Sequence, residues 1–349
     1  MEAPLPILTA ADASKRRRWA RLFRWAGVGI LWLVLLGILG WGALAIYYSN
    51  LSPSMRPVGA VVWPAVGAGV LLLVRPRRRG LLIFAALFAA LLGWWFAIPP
   101  SNHRDWQPDV ALLPYADIQG NRVTIHNIRN CEYRSETDYD VHYYDKTFDL
   151  DQLKTVDFYT VYWGSPAICH TMMSFGFGAE GVVCVSIETR KEKGEGYSTV
   201  KGFFRQYELT YVVADERDLV RLRTNFRGEQ VYLYRLKASP ETVRRVFLDY
   251  LKSVNELAAE PEWYNALTSN CTSNIRGHTL PYSPDSRWNW RLLINGYVDE
   301  LAYDKGALDR SLPFAELKRE SLINDRARAA GDDADFSHRI REGLPGMTP

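Results

Sequence analysis

Cys271 sits in the run Thr268-Ser269-Asn270-Cys271-Thr272-Ser273-Asn274, about a hundred residues after His170. A thiol and an imidazole are the two halves of a cysteine nucleophile, provided that the fold brings them together. The local sequence gives this thiol a reason to ionise. Ser269 or Asn270 can cap a short helix whose first turn holds Cys271, and the unpaired N–H groups and positive dipole end of that turn stabilise a thiolate. The same N–H groups can hold an oxyanion, and Asn270 is the side chain placed to set this turn or to assist there. The chemistry within reach is attack on a carbonyl, followed by transfer of the acyl group to an amine or to water.

The imidazole needs a partner that orients it. Residues 168–177 and 182–190 read as consecutive strands, joined by a turn containing Gly178 and Gly181. A turn of odd length sets His170 opposite Glu188 and leaves Ser186 on the same face. Glu188 is the preferred third member, because a carboxylate favours the protonated ring and selects its tautomer; Ser186 is the alternative. Glu188 could also form an ordinary ion pair with Arg190 or Arg205. Arg205, Glu208, Asp215, Glu216, Arg217 and Asp218 read as a structural charge network. His103, His126, His142, His278 and His338 lack metal-ligand spacing. The four cysteines, Cys131, Cys169, Cys184 and Cys271, contain no CxxC pair. Neither a metal, a cofactor nor a disulfide framework is expected, and an odd turn would point Cys169 and Cys184 to opposite sheet faces.

The first hundred residues set the compartment in which this chemistry would run. Residues 25–48, 58–74 and 80–98 are uncharged, and each can cross an apolar slab of about 30 Å as a helix. Lys15, Arg16, Arg17, Arg18, Arg21 and Arg24 precede the first segment, and Arg75, Arg77, Arg78 and Arg79 separate the second from the third. Only Arg56 lies in the other short loop. This asymmetry predicts a cytoplasmic N-terminus and export of the chain after residue 99; the first segment is too long for a cleaved signal peptide, and two more follow. The expected organisation is a basic cytoplasmic N-terminus (1–24), a three-helix anchor in the inner (cytoplasmic) membrane (25–98), an exported domain (99–327) and a poorly ordered polar tail (328–349). The overall charge of +3 hides a split, since eleven of the 42 Lys+Arg but only Glu2 and Asp12 of the 39 acids precede residue 99. The exported part is therefore acidic, which excludes a nucleic-acid partner.

Within the exported part, strands come first, at 155–163, 168–177, 182–190 and 229–236, and helices later. Ser239 and Pro240 open a helix whose apolar stripe is Val243, Val246, Phe247, Tyr250, Leu251, Val254 and Leu257. A further helical stretch is expected over 288–303. This order predicts an α+β domain.

Five blocks carry a resemblance. His170-Thr-Met-Met-Ser-Phe-Gly-Phe177, Val185-Ser-Ile-Glu-Thr-Arg190, Gly202-Phe-Phe-Arg-Gln-Tyr-Glu-Leu209, Ala214-Asp-Glu-Arg-Asp218 and Trp263-Tyr-Asn-Ala-Leu-Thr-Ser-Asn-Cys-Thr272 resemble the family called the Lnb N-terminal periplasmic domain. The similarity spans roughly residues 121–309. The order of His on a strand, a polar residue on the next and Asn-Cys opening a helix is similar to the circularly permuted papain-like, NlpC-related thiol enzymes, a group that includes lecithin retinol acyltransferase-like proteins. The resemblance implies a permuted papain-like domain with an antiparallel sheet and packed helices, here preceded by three transmembrane helices, with Cys271 as nucleophile and His170 as base. The family is named for a bacterial lipoprotein N-acylation protein, which uses a cysteine to move a fatty acyl chain to a lipoprotein amino terminus. That implies a membrane-anchored envelope thiol acyltransferase with membrane lipid and lipoproteins as partners. The namesake carries its membrane helices after the domain rather than before it. Two other classes stay open: a cysteine hydrolase of peptide, amide or ester bonds in the envelope, and a catalytically silent envelope scaffold.

Overall fold

The uncharged stretches separated by arginines become three helices, α1 (Ala10–Tyr47), α2 (Met55–Leu73) and α3 (Arg77–Phe96), in a computed structural model that describes residues 10–282 and 287–347. Helix α1 starts well before the apolar stretch and takes in the basic residues assigned to an N-terminal arm. Arg18–Tyr47, Met55–Leu73 and Arg77–Phe96 are each long and apolar enough to cross a membrane. They pack through Leu35, Leu39, Leu71 and Phe84. Gly67 permits that approach, because a Cβ there would stand 2.5 Å from Leu39 Cδ2. Leu33, Val61, Leu73 and Leu82 face outward, as a lipid-facing surface requires. These helices belong to one compact unit, Met1–Pro99, and the remaining residues, Pro100–Pro349, form a second.

The second unit is built on an eight-stranded sheet of β1 (Tyr115–Gln119), β2 (Arg122–Arg129), β3 (Tyr143–Asp149), β4 (Thr155–Tyr162), β5 (Cys169–Gly176), β6 (Val182–Arg190), β7 (Glu208–Ala214) and β8 (Gln230–Arg235). Its order is β1-β2-β7-β6-β5-β4-β8, with β3 pairing β2 off this path. Every pairing is antiparallel except one parallel contact of β2 with β7 at Arg129 and Ala214. Alternation along the strands separates two cores. Met173, Phe175, Val185 and Ile187 face α5 (Pro240–Ala259), whose Val243, Phe247, Tyr250, Leu251 and Val254 complete that layer. Met172, Tyr159, Val161 and Cys184 face the other way, toward α4 (Glu216–Arg221) and the helices Asn324–Ala330 and Phe336–Arg339. The sheet is thus covered by helices on both faces, and the α+β expectation holds. Ser239 caps α5 by accepting the Thr242 N–H at 3.2 Å.

Two expectations are corrected. The single helix expected over 288–303 is two short turns at Trp290–Leu292 and Asn295–Tyr297, followed by α7 (Val298–Asp304). Gly296 lies so close to the loop before β5 that a Cβ would meet the Pro166 carbonyl oxygen at 2.1 Å, and packing there overrides helical periodicity. Nor is the polar tail detached. Phe336, Ile340 and Leu344 are buried in the second core, and Arg341 pairs with Asp157 at 2.8 Å and Glu216 at 2.6 Å. Burial of three apolar residues and one paired guanidinium outweighs the polarity of the segment.

Candidate active site

Asn270 holds extended backbone just ahead of helix α6 (Cys271–Thr279) and closes a reciprocal cap: its Oδ1 accepts the Ser273 N–H at 2.9 Å, and Ser273 Oγ accepts the Asn270 N–H at 2.8 Å. Its Nδ2 donates to the Ala266 carbonyl at 2.8 Å. The side chain is thereby committed to positioning the helix start. Cys271 occupies the first helical position, where its own N–H and that of Thr272 lack intrahelical acceptors. The far end of α6 is pinned by His278, whose ring bonds Tyr211 Oη and Asp249 Oδ2, each at 2.7 Å. A nine-residue helix with weak apolar periodicity is thus held at both ends by polar contacts.

Strand β5 brings His170 to the sulfur. Its ladder with β4 runs to Cys169, whereas its ladder with β6 stops at Met172–Ser186. Strand β6 instead continues beside β7 as far as Arg190. The two strands part at the end that carries His170, and there His170 and Thr171 are the groups that favour the Cys271 thiolate, whose sulfur lies 3.9 Å from Thr272 Oγ1. Burial pushes the Cys271 thiol up, but these two groups, the His170 charge foremost, outweigh it, pulling the group from 9.0 down to about 6. Cys271 is 7 % exposed and the His170 side chain 15 %, so the pair is neither sealed nor fully solvated.

The direct partner of the ring is Ser186, not Glu188. His170 Nε2 stands 2.7 Å from Ser186 Oγ, which donates to Glu188 Oε1 at 2.7 Å; the Glu188 oxygen is 3.9 Å from the ring. The turn is of odd length and the register sets Glu188 opposite His170, as expected, but the strands have separated there and the ring reaches diagonally to Ser186. The Glu188 carboxylate is drawn instead to Arg223, whose NH2 group donates at 2.8 Å, rather than to Arg190 or Arg205. Burial opposes ionisation of Glu188, but Arg223 and then His170 overcome it and hold the carboxyl well below its ordinary range. The resulting chain runs from the Nε2–H through the serine hydroxyl to the carboxylate, which leaves Nδ1 as the ring nitrogen for sulfur.

Sequence reasoning missed Arg223, which is buried on a widened helical turn after α4, and it missed Asn295. The Asn295 amide accepts the Cys169 N–H at 3.0 Å and donates to the Cys169 carbonyl at 2.7 Å and to Thr272 Oγ1 at 2.8 Å. It therefore ties the start of the histidine strand to the start of the cysteine helix. No local signal announces either residue. The other suspected charges have separate duties: Asp218 pairs with Arg129 at 2.8 Å, Glu216 with Arg341 and Glu208 with Arg104 at 2.7 Å. All four cysteines are free and buried, and among the described residues no cluster of His, Cys, Asp or Glu could hold a metal ion.

Residues 139–296 match the model of the family described as the Lnb N-terminal periplasmic domain. The matched stretch contains His170, Ser186, Glu188, Arg223, Asn270, Cys271 and Asn295. No curated protein and no solved structure matches the chain. Three membrane-length helices together with a periplasmic-domain family fit an envelope-associated membrane protein.

Proposed function

We propose that this chain, whose residues 139–296 match the model of the Lnb N-terminal periplasmic domain family, is a membrane-anchored envelope thiol acyltransferase with a permuted papain-like site that acts on lipid or lipoprotein. The observation that carries this reading is a cysteine at a capped helix start beside a His170–Ser186–Glu188 hydrogen-bond chain, with the imidazole drawing the thiol down to about 6. Basic residues before α1 and between α2 and α3, against the single Arg56 in the other short loop, favour an inner-membrane location with the N-terminus in the cytoplasm. In the first half-reaction the Cys271 thiolate attacks the ester carbonyl of an acyl donor. The N–H groups at the start of α6 support the oxyanion. The carbon–oxygen bond then breaks, and the departing alkoxide takes the proton from the His170 imidazolium. In the second half-reaction an acceptor amine attacks the thioester and gives its proton to the neutral imidazole. Expulsion of the thiolate restores the ion pair. Ser186 and Glu188 act through the ring, keeping the Nε2–H engaged so that Nδ1 faces the sulfur.

Intact-mass analysis of the full chain after incubation with acyl-labelled phospholipid tests the reading. The expected result is one acyl chain on Cys271, absent from Cys271→Ala and discharged by an amine-terminated lipopeptide. Release of free fatty acid without need of an amine would assign a hydrolase, and no adduct and no release would leave only a scaffold.

A further inference from the structure

Six large apolar side chains stand on the surface beside Cys271 and His170. Trp163, Ile168, Trp290, Leu293, Ile294 and Tyr297 are each 38–56 % exposed. Two segments carry them, the loop joining β4 to β5 and the stretch before α7, and hydrogen bonds merge these into one surface. Gly296 N–H bonds the Ala167 carbonyl at 3.0 Å, Tyr162 Oη bonds the Gly296 carbonyl at 2.8 Å, and the rings of Trp290 and Tyr297 meet at 5.5 Å. The surface reaches the reacting groups, since Ile168 lies two residues from His170 and Asn295, next to Ile294, bonds both Cys169 and Thr272. Contiguous exposed apolar side chains mark a surface that binds something.

The chain indicates what covers them. Helix α3 ends at Phe96 and the second unit begins at Pro100, a connection that reaches about 14 Å when fully extended. A domain on so short a connection to membrane-length helices lives beside lipid. Trp and Tyr mixed with Ile and Leu is the composition that settles at a bilayer interface. We propose that this rim docks into the surface of a phospholipid bilayer, placing its apolar side chains among the lipid chains and bringing ester carbonyls at the interface within reach of Cys271. The inference deepens the acyltransfer reading, and its test separates the two.

Spin labels at Leu293→Cys and Ile168→Cys, each in the full chain carrying Cys271→Ala, are measured in phosphatidylcholine–phosphatidylglycerol vesicles. A label at Ile118→Cys, exposed on strand β1, reports an aqueous position. The expected result is that labels at 293 and 168 collide mainly with oxygen, which concentrates in lipid, and the label at 118 with a water-soluble nickel chelate. Labels at 293 and 168 as open to nickel as that at 118, or shielded from both reagents by a protein partner, would overturn the proposal. With the native thiol restored, Leu293→Glu combined with Ile294→Glu should slow acylation of Cys271 from vesicle lipid by about tenfold and leave its alkylation by iodoacetamide unchanged. Unaltered acylation counts against the docking. Lipid-buried labels without acylation in the wild type would uphold the docking and refute acyl transfer; acylation with water-exposed labels would do the reverse.

Discussion

Replacing His170 with alanine leaves the burial that pushes Cys271 up but removes the charge and hydrogen bond that pull it down to about 6, so the thiol returns to 9.0 or above. At pH 7 the wild type is then about 90 % thiolate and the variant about 1 % or less. Thiolate fraction is not the whole rate. The more basic sulfur is the better nucleophile, and a Brønsted slope of about 0.4–0.5 over roughly three pH units offsets about twentyfold of the difference. The wild type should therefore react about fourfold faster at pH 7 and about fortyfold faster at pH 5, while the variant overtakes it above about pH 7.7. The assay is the second-order rate of carbamidomethylation of Cys271, followed by mass spectrometry from about pH 5 to 10, with the buried Cys131, Cys169 and Cys184 as internal references. Two profiles with the same midpoint, or a constant ratio between them at all pH values, would refute an imidazole-held thiolate.

Ser186→Ala removes the immediate acceptor of the His170 Nε2–H and should cost about 1 kcal/mol in the acylation step, roughly fivefold. Glu188→Gln instead strips the buried Arg223 of its closest carboxylate; the loss should fall below the ~3–5 kcal/mol of a sealed pair, because Glu188 is 24 % exposed and Glu229 remains at 3.9 Å from the guanidinium. Because folding lowers the Glu188 pKa, its contribution is complete above the ordinary carboxylate value and fades as pH falls through the folded one, so calorimetry should find the wild-type advantage shrinking in acid. Arg341→Met leaves Glu216 buried without its partner and should lower stability by about 3–5 kcal/mol, or the melting temperature by roughly 10 °C; an unchanged melting curve would mean that the tail does not contribute. Asn295→Ala exposes the Cys169 N–H and carbonyl to an unsatisfied state costing about 1–3 kcal/mol, and the Cys271 alkylation midpoint should rise with it.

Features that depend on neighbours in the chain were legible in the sequence. Uncharged runs of membrane length, arginines between them, the Ser239 cap with its stripe along α5, and the Asn270 turn that begins a helix at Cys271 all follow from local geometry. The strand pair carrying His170 and Glu188 was legible too, because an odd turn and alternating side chains determine its register. What the register could not say was where the ladder ends. Strands β5 and β6 part beyond Met172–Ser186, and this, with Arg223 arriving from a separate turn, hands the imidazole to Ser186 and moves Glu188 one bond outward. The same limit hid Asn295, since nothing within several residues of it reveals a contact with Cys169 more than a hundred positions earlier. It also hid the anchoring of the tail, where Arg341 reads as a solvated charge until Asp157 and Glu216 are seen beneath it. Chain-local hydrogen bonding and periodicity decided which elements form; the choice among long-range polar partners was made by packing, because a buried charge or amide takes whichever partner the assembled core leaves within bonding distance.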